Sequence, residues 1–316
     1  MTIQGQNPKA VRTDALPRVS VLMPVHNAQD FLAEALDCIL AQTFTDWELI
    51  CVDDGSSDAS LAILREYEAK HARIRVISRP NTGIVGALND ALDAANGTYI
   101  ARMDADDWCA EERFARQVAY LDKHTECVAL GTYVRRTDPY GSPAGSQEPP
   151  IDHETIDTGL LVGDASVLVH ASLMMRADAL RAIGRWRPGT DWVEDLDLFL
   201  RLTEHGKVAN LPQYLYIYRR HVQSVCFKRY ELMCRRLKEV LREAYDRRGI
   251  SDRYDEDAIR TDLAPKQSAA EHYRTWACYA IHAGNRTLAR RHAASALKRS
   301  PWSAKSWKVA YWALAA

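Results

Sequence analysis

Tyr99-Ile100-Ala101-Arg102-Met103-Asp104-Ala105-Asp106-Asp107-Trp108 is an apolar run that ends in three carboxylates, and it follows a helix stop read at Asn96-Gly97. Alternate side chains of an extended segment point to one side, so a strand ending in Asp-Ala-Asp directs Asp104 and Asp106 at a single target. Two carboxylates that close repel unless a cation lies between them. Hard oxygen donors favour Mg2+ or Mn2+, which keep open positions for phosphate oxygens. An isolated Asp-x-Asp serves equally well as the acidic cap of the next helix, so the decision rests on its surroundings.

Three strand–helix units precede this run. Val19-Ser20-Val21-Leu22-Met23 reads as a buried strand broken at Pro24, and a helix with Asp30 as its N-cap carries Phe31, Leu32, Ala35, Leu36, Ile39 and Leu40 at helical spacing. Glu48-Leu49-Ile50-Cys51-Val52 is a second strand, running into Asp53-Asp54-Gly55-Ser56-Ser57-Asp58 before a helix through Leu61, Leu64 and Tyr67. A third, from Ile74 to Ser78, leads through Asn81-Thr82-Gly83 to a helix with Ile84, Ala87, Leu88, Ala91 and Leu92. Strands alternating with helices of roughly ten to fifteen residues make a parallel sheet with right-handed crossovers.

The ligand crevice of such a sheet lies beyond the carboxyl ends of its strands. Pro24-Val25-His26-Asn27, Asp53-Asp54, the Asn81 loop and Asp104-Ala105-Asp106 all fall there. No Gly occurs between Gly5 and Gly55, so the first turn lacks the dinucleotide GxGxxG, and there is no GxxxxGK[ST] phosphate loop. Beyond Asp107 the pattern gives a helix over 111–123, a strand over 128–135, a turn-rich break at 139–145, a strand-like stretch at 170–176, a short helix over 177–183, a polar lead Trp192-Val193-Glu194-Asp195 into a helix, and an extended run over 211–219.

The chain has 316 residues, 47% hydrophobic and 26% charged, enough for one large globular domain with an appendage. A formal net charge of −1 gives no case for nucleic acid as a partner, yet it conceals an asymmetry. After Glu271 no Asp or Glu follows, whereas Arg274, Arg286, Arg290, Arg291, Lys298, Arg299, Lys305 and Lys308 do. Seven cysteines without a CxxC pair fit reduced thiols in the cytoplasm. The polar lead over 1–16 has no apolar core of a signal peptide, and no later stretch reaches eighteen apolar residues, so the expected location is cytoplasmic, any membrane contact being peripheral and on the inner face.

From 227 onward the chain reads as a helical region: a basic amphipathic helix over 228–248, a polar connector over 251–266, and three helices over 268–316 divided at Ala283-Gly284-Asn285 and Ser300-Pro301. The Gly-Asn helix pair resembles a single tetratricopeptide-type unit. Trp302, Trp307, Tyr311 and Trp312 among Lys305 and Lys308 fit an interfacial helix on an anionic membrane, or else pack on the preceding helices with the lysines in water, the second being the favoured expectation.

Taken together, residues 17–226 resemble a family 2 glycosyltransferase of the inverting GT-A class. The resemblance rests on Pro24-Val25-His26-Asn27, Glu34 with Gln42-Thr43-Phe44, Val52 to Asp58, Asn81-Thr82-Gly83, Asn89, Arg102 to Asp107, Glu194-Asp195 and Tyr218-Arg219-Arg220-His221, in the family's order and spacing. It implies a GT-A Rossmann-like, mostly parallel sheet flanked by helices, here with an α-helical C-terminal appendage. It implies transfer of a sugar from a nucleotide diphosphate sugar, UDP-linked by preference, to a hydroxyl of a glycan, lipid-linked or small-molecule acceptor, with Mn2+ or Mg2+ as cofactor.

The same resemblance assigns roles. Pro24, Val25, His26 and Asn27 would hold the base, with Asp54 accepting from the uracil imide; His26 stands where the family more often has Tyr. Glu34, Asn89, Arg102, Asp104 and Glu194 complete the nucleotide-sugar site, Asp104, Asp106 and His221 the metal site, and Asp195 is the general base. Asp54 could otherwise cap the helix after Ser57. Leu88 stands where many relatives carry Arg, which shifts phosphate neutralisation to the metal and Arg102. Two rival readings are a sugar-phosphate nucleotidyltransferase, disfavoured by Pro24-Val25-His26 in place of a Gly-rich loop, and a catalytically silent nucleotide-binding module whose helical tail recruits a partner.

Overall fold

The computed structural model describes residues 16–221, 230–257, 259 and 268–315. The lead over 1–15, the expected domain end at 222–226 and half of the connector lie outside the described residues. In chain order the elements are β1 (Val19–Val25), α1 (Leu32–Leu40), β2 (Trp47–Asp54), α2 (Ser60–Lys70), β3 (Ile74–Arg79), α3 (Ile84–Asp93), β4 (Tyr99–Arg102), β5 (Trp108–Cys109), α4 (Arg113–Lys123), β6 (Cys127–Thr137), β7 (Pro143–Gln147), α5 (His153–Leu161), β8 (Met174–Arg176), α6 (Ala177–Ala182), α7 (Glu194–His205), β9 (Lys207–Arg219), α8 (Tyr230–Arg247), α9 (Ala269–His282), α10 (Arg286–Arg299) and α11 (Ala304–Ala315).

Among the described residues the strands form one sheet in the order β3-β2-β1-β4-β8-β6-β9-β5, with β7 on the free part of β6. β3, β2, β1 and β4 run parallel, as do β6 and β9; β8, β5 and β7 are antiparallel to their neighbours. The chain winds outward from β1 through β2 to β3, then returns to place β4 on the other side of β1. That reversal opens a crevice between the carboxyl ends of β1 and β4. Alternation along β1 sends Leu22 into a core with α3, α5, α7 and α8, and Val21 and Met23 into a second core with α1 and α4. Both faces are covered, which is why these strands are apolar throughout.

Several local readings change. β1 runs through Pro24 to Val25, paired with β2 as Pro24↔Val52. Leu22 directs its carbonyl to Met103 N on the β4 side, so Pro24, two residues on, would have aimed an N–H past the end of β4, and its absence costs nothing. Asp30 is not the cap of α1. The Ala28 carbonyl already accepts from Phe31 N and Leu32 N, and Phe31 is the N-cap. Nor does Gly97 stop α3, which ends at Asp93 with Ala94 as C-cap. The stretch at 170–176 is a 3-10 turn over His170–Ser172 followed by the short β8.

Helices α9, α10 and α11 stand on the β6–β7 hairpin. Ser268 and Glu271 form a capping box on α9, and Gly284, with φ of 70°, makes the turn to α10. His292 of α10 and Asp138 of the hairpin turn are both buried and joined at 2.6 Å (Nε2 to Oδ2), with Arg291 stacked on Tyr140. The expectation that the tail aromatics pack inward is overturned: α11 buries Ser306, Val309, Ala310 and Ala313, while Trp302, Trp307, Tyr311, Trp312 and Leu314 face outward. No helix among the described residues is long and apolar enough to cross a membrane.

Gly97 owes its identity to close approach. Its N–H donates to Ser20 Oγ (2.8 Å), which donates to Glu48 Oε1 (2.7 Å), and Glu48 also accepts from Asn96 N (2.8 Å). A Cβ at 97 would stand 2.5 Å from Ser20 N and 2.8 Å from Ser20 Oγ. Gly97→Ala is therefore expected to cost about 1–3 kcal/mol, read as a lower urea midpoint with unchanged slope; a wild-type midpoint would contradict this account.

Candidate active site

The carboxyl end of β1 is tied to the end of β2. Asn27 adopts the left-handed conformation (φ 54°), which Asn tolerates, and exchanges hydrogen bonds with Ser56 Oγ (3.1 Å) and Ser57 N (2.8 Å). His26 donates from Nδ1 to the Asp54 carbonyl (2.9 Å) and accepts at Nε2 from Asn27 Nδ2 (3.2 Å), leaving the ring exposed at the rim. Asp54 does not cap α2; its buried carboxylate accepts from Thr82 N (3.0 Å) and Gly83 N (2.9 Å) and pairs with Arg79 Nε (3.2 Å). It therefore anchors the loop entering α3. Asn89 donates to the Trp186 carbonyl (2.8 Å).

Past β4 the chain turns so that Asp104, Asp106 and Asp107 each bring one carboxylate oxygen within 4.8 Å of the others. Burial raises the Asp104 pKa, Arg102 opposing and Asp106 reinforcing the shift. Burial and both neighbouring carboxylates push Asp107 well up. Arg102 is buried and reaches Asp104 Oδ1 at 2.5 Å and the Met103 carbonyl at 2.6 Å. His221 Nε2 bonds Asp106 Oδ2 at 2.7 Å, with Phe31 5.2 Å away by ring centroids, and its buried Nδ1 has no hydrogen-bond partner among the described residues. Three crowded carboxylates are a donor set that fits a hard divalent cation, and His221 meets them through Asp106.

Arg102 also acts electrostatically on the start of α7. Glu194 is pushed up to about 8 by burial and by Asp195, with Arg102 acting against the shift. Its Oε2 is buried without a hydrogen-bond partner among the described residues. Burial also raises Asp195, whose Oδ1 accepts from Leu196 N at 2.7 Å. One guanidinium thus bonds Asp104 and acts electrostatically on Glu194. His170 is enclosed nearby, its pKa held well down by burial and Arg102, so the neutral ring accepts from Trp186 Nε1 (3.1 Å).

The family model for glycosyl transferase family 2 matches residues 20–184. The chain belongs to glycosyltransferase family 2. It is similar to the putative glycosyltransferase EpsE of Bacillus subtilis, 36% identical over 218 residues, or 67% of this chain and 76% of that one. Among solved structures it resembles the mannosyltransferase PcManGT of Pyrobaculum calidifontis in complex with GDP-Man and Mn2+, with a TM-score of 0.58 and 18% identity over 92% of this chain and 88% of that one. It also resembles residues 1–349 of S. aureus TarS in complex with UDP-GlcNAc, at a TM-score of 0.55 and 16% identity over 93% and 89% of the two chains. The fold is GT-A.

The glycosyltransferase holds its acidic loop with residues to which sequence patterning gave no bracing role. Asp107 accepts from Tyr216 Oη (2.9 Å) and Arg219 N (2.7 Å). Arg219 donates from Nε to the Asp106 carbonyl (2.9 Å), from Nη1 to the Pro139 carbonyl (3.0 Å) and from Nη2 to Glu34, with its Cζ 4.4 Å from the centroid of Phe31 and 4.3 Å from that of Trp108. Glu34, expected at the donor, is here the partner of that guanidinium. Arg113, also buried, donates to the carbonyls of Arg102 (2.9 Å), Ala171 (3.2 Å) and Leu173 (3.3 Å). Asp107 and Arg219 stood inside quoted motifs without an assigned role, whereas Tyr216 and Arg113 carried no signal.

Glu194 makes stability depend on pH. Its carboxyl is protonated in the fold up to about 8 but titrates near 4.5 when unfolded, so its contribution is fully present below pH 4.5 and is lost as pH rises toward 8. Glu194→Gln keeps the neutral form at every pH. Its melting temperature should match the wild type near pH 4 and exceed it at pH 8; parallel profiles across that window would contradict the assignment.

Proposed function

We propose that this glycosyltransferase moves a sugar from a UDP-linked donor to an acceptor hydroxyl with inversion at the anomeric carbon, using Mn2+ or Mg2+, in the synthesis of a glycan, polysaccharide or glycolipid. The supporting observation is the Asp104, Asp106 and Asp107 cluster at the crevice between β1 and β4, joined through Arg102 to Glu194 at the head of α7. His26 lies flat-sided and exposed at the rim, as a base-stacking group must. Asp54 spends three of its roughly four lone-pair directions on Arg79, Thr82 and Gly83. The fourth, on Oδ2, is the one that takes the imide N–H. Asn89 keeps Oδ1 for the donor, its amide nitrogen being held by Trp186.

Asp104, Asp106 and His221 would hold the cation, and Asp107 braces the loop through Tyr216 and Arg219. A bound divalent cation supplies positive charge to the diphosphate as it departs. Leu88 is fully buried in the core, so α3 offers no cation in compensation, and Arg102, paired with Asp104, is a fixed positive charge at the acidic loop. Asp195 removes the acceptor proton as its oxygen attacks opposite the diphosphate. Burial that raises its basicity suits that task.

Asp195→Asn should retain nucleotide-sugar binding by calorimetry while transfer falls roughly 10²- to 10⁴-fold; turnover near the wild-type rate would remove Asp195 from the mechanism. Chelation with EDTA should abolish transfer and added Mn2+ or Mg2+ restore it, with Asp106→Asn insensitive to the added ion. Full activity in EDTA would overturn the metal-dependent reading and leave the assignment of Asp195 standing.

A further inference from the structure

Helix α11 has two chemically distinct sides. Ser306, Val309, Ala310 and Ala313 are buried, the last three against Ala277, Ala280, Leu288, Ala289 and Ala293 of α9 and α10. Trp307, Tyr311 and Leu314, spaced i, i+4 and i+7, form an outward stripe, exposed at 60%, 69% and 68%, and Trp302 in the preceding turn is exposed at 97%. Large apolar side chains in one such stripe mark an interaction surface rather than scattered surface residues. Lys305 and Lys308 flank the stripe, with Lys308 Nζ 4.8 Å from the centroid of Trp312.

We propose that this face of α11, with Trp302, docks the protein on an anionic lipid bilayer. Charge selects that occupant. Residues 272–316 carry Arg274, Arg286, Arg290, Arg291, Lys298, Arg299, Lys305 and Lys308 and no Asp or Glu, so a second copy would bring like charges against like. An anionic lipid surface attracts Lys305 and Lys308 beside the stripe, whereas Arg274 pairs with Glu271 and Arg291 and Arg299 pack on Tyr140 and Tyr273. Trp302 and Tyr311 place an apolar ring and a polar N–H or O–H at the headgroup level, Trp307 adds its ring while its Nε1–H donates to the Pro301 carbonyl (2.8 Å), and Lys extends past them to the phosphates. The stripe is too short and too polar to span, so the helix lies in the interfacial plane.

Docking there also orients the cleft. The buried His292–Asp138 pair fastens α10 to the turn over 138–142, and that turn supplies the Pro139 carbonyl to Arg219. The helical unit and the acidic loop are therefore mechanically continuous. A bilayer bound to α11 holds the site at one attitude to acceptors in the lipid surface.

Co-sedimentation of the full chain with vesicles tests this. Pelleting is expected with phosphatidylglycerol and phosphatidylcholine in equal parts, with a blue shift of tryptophan emission, and roughly ten-fold less with phosphatidylcholine alone. Trp307→Ala/Tyr311→Ala/Leu314→Ala, all exposed positions, should keep the wild-type melting temperature and lose at least about ten-fold in partitioning. Lys305→Glu/Lys308→Glu should lose the salt-sensitive part while leaving the apolar stripe intact. Equal pelleting by the wild type and both variants, or none by the wild type, overturns the proposal. So does concentration-dependent dimerisation in light scattering that the triple variant abolishes, since that assigns the face to a second copy.

Discussion

The guanidinium of Arg219, held between the rings of Phe31 and Trp108, is the contact on which the site depends. A charge removed from water costs several kcal/mol unless its donors are met, and here they are: carbonyls of Asp106 and Pro139 and the carboxylate of Glu34 receive them, while both aromatic faces stabilise the cation. Four distant segments meet on this side chain: the start of α1, the acidic loop, the hairpin turn and the end of β9. Its own N–H also secures Asp107. The position of the carboxylates is thus set by a residue more than a hundred positions downstream.

Around that anchor the cleft carries more carboxylate than guanidinium. Asp104, Asp107, Glu194 and Asp195 are all raised by burial, and Arg102 is the buried cation that opposes the shift at Asp104 and Glu194. Positive charge relieves such repulsion between carboxylates. The same crowding that would burden a structural core raises the basicity of a carboxylate beside a reacting hydroxyl. A fold that accepts this cost must anchor its acidic loop firmly, and Arg113 and Tyr216 serve that end together with Arg219.

Motif residues divide into those that face the cleft and those that build its walls. Gln42 accepts from Phe114 N and donates to the Ala110 carbonyl, holding the end of α1 to the start of α4. Glu34 serves Arg219, and Asp54 braces the loop into α3 while keeping one direction of Oδ2 open. In a linear pattern such residues look the same as ligands, because a buried polar side chain with a fixed partner and one with a bound substrate use the same few residue types. Gly97 was misread for a related reason. A glycine after a helix pattern signals a left-handed cap, but this one is required by the backbone of β1 lying against it.

The amino-acid sequence by itself determined the alternating sheet, the edge at which polar residues collect, and the acidic run after β4, since hydrophobic periodicity and chain order are local properties. Tertiary structure alone decided three matters. Asp107 joined the carboxylate cluster, Arg219 became its anchor, and the aromatics of α11 turned outward. Each depends on which segments meet across the sheet or the helical unit, and contacts between residues far apart in the chain leave no periodic trace along it.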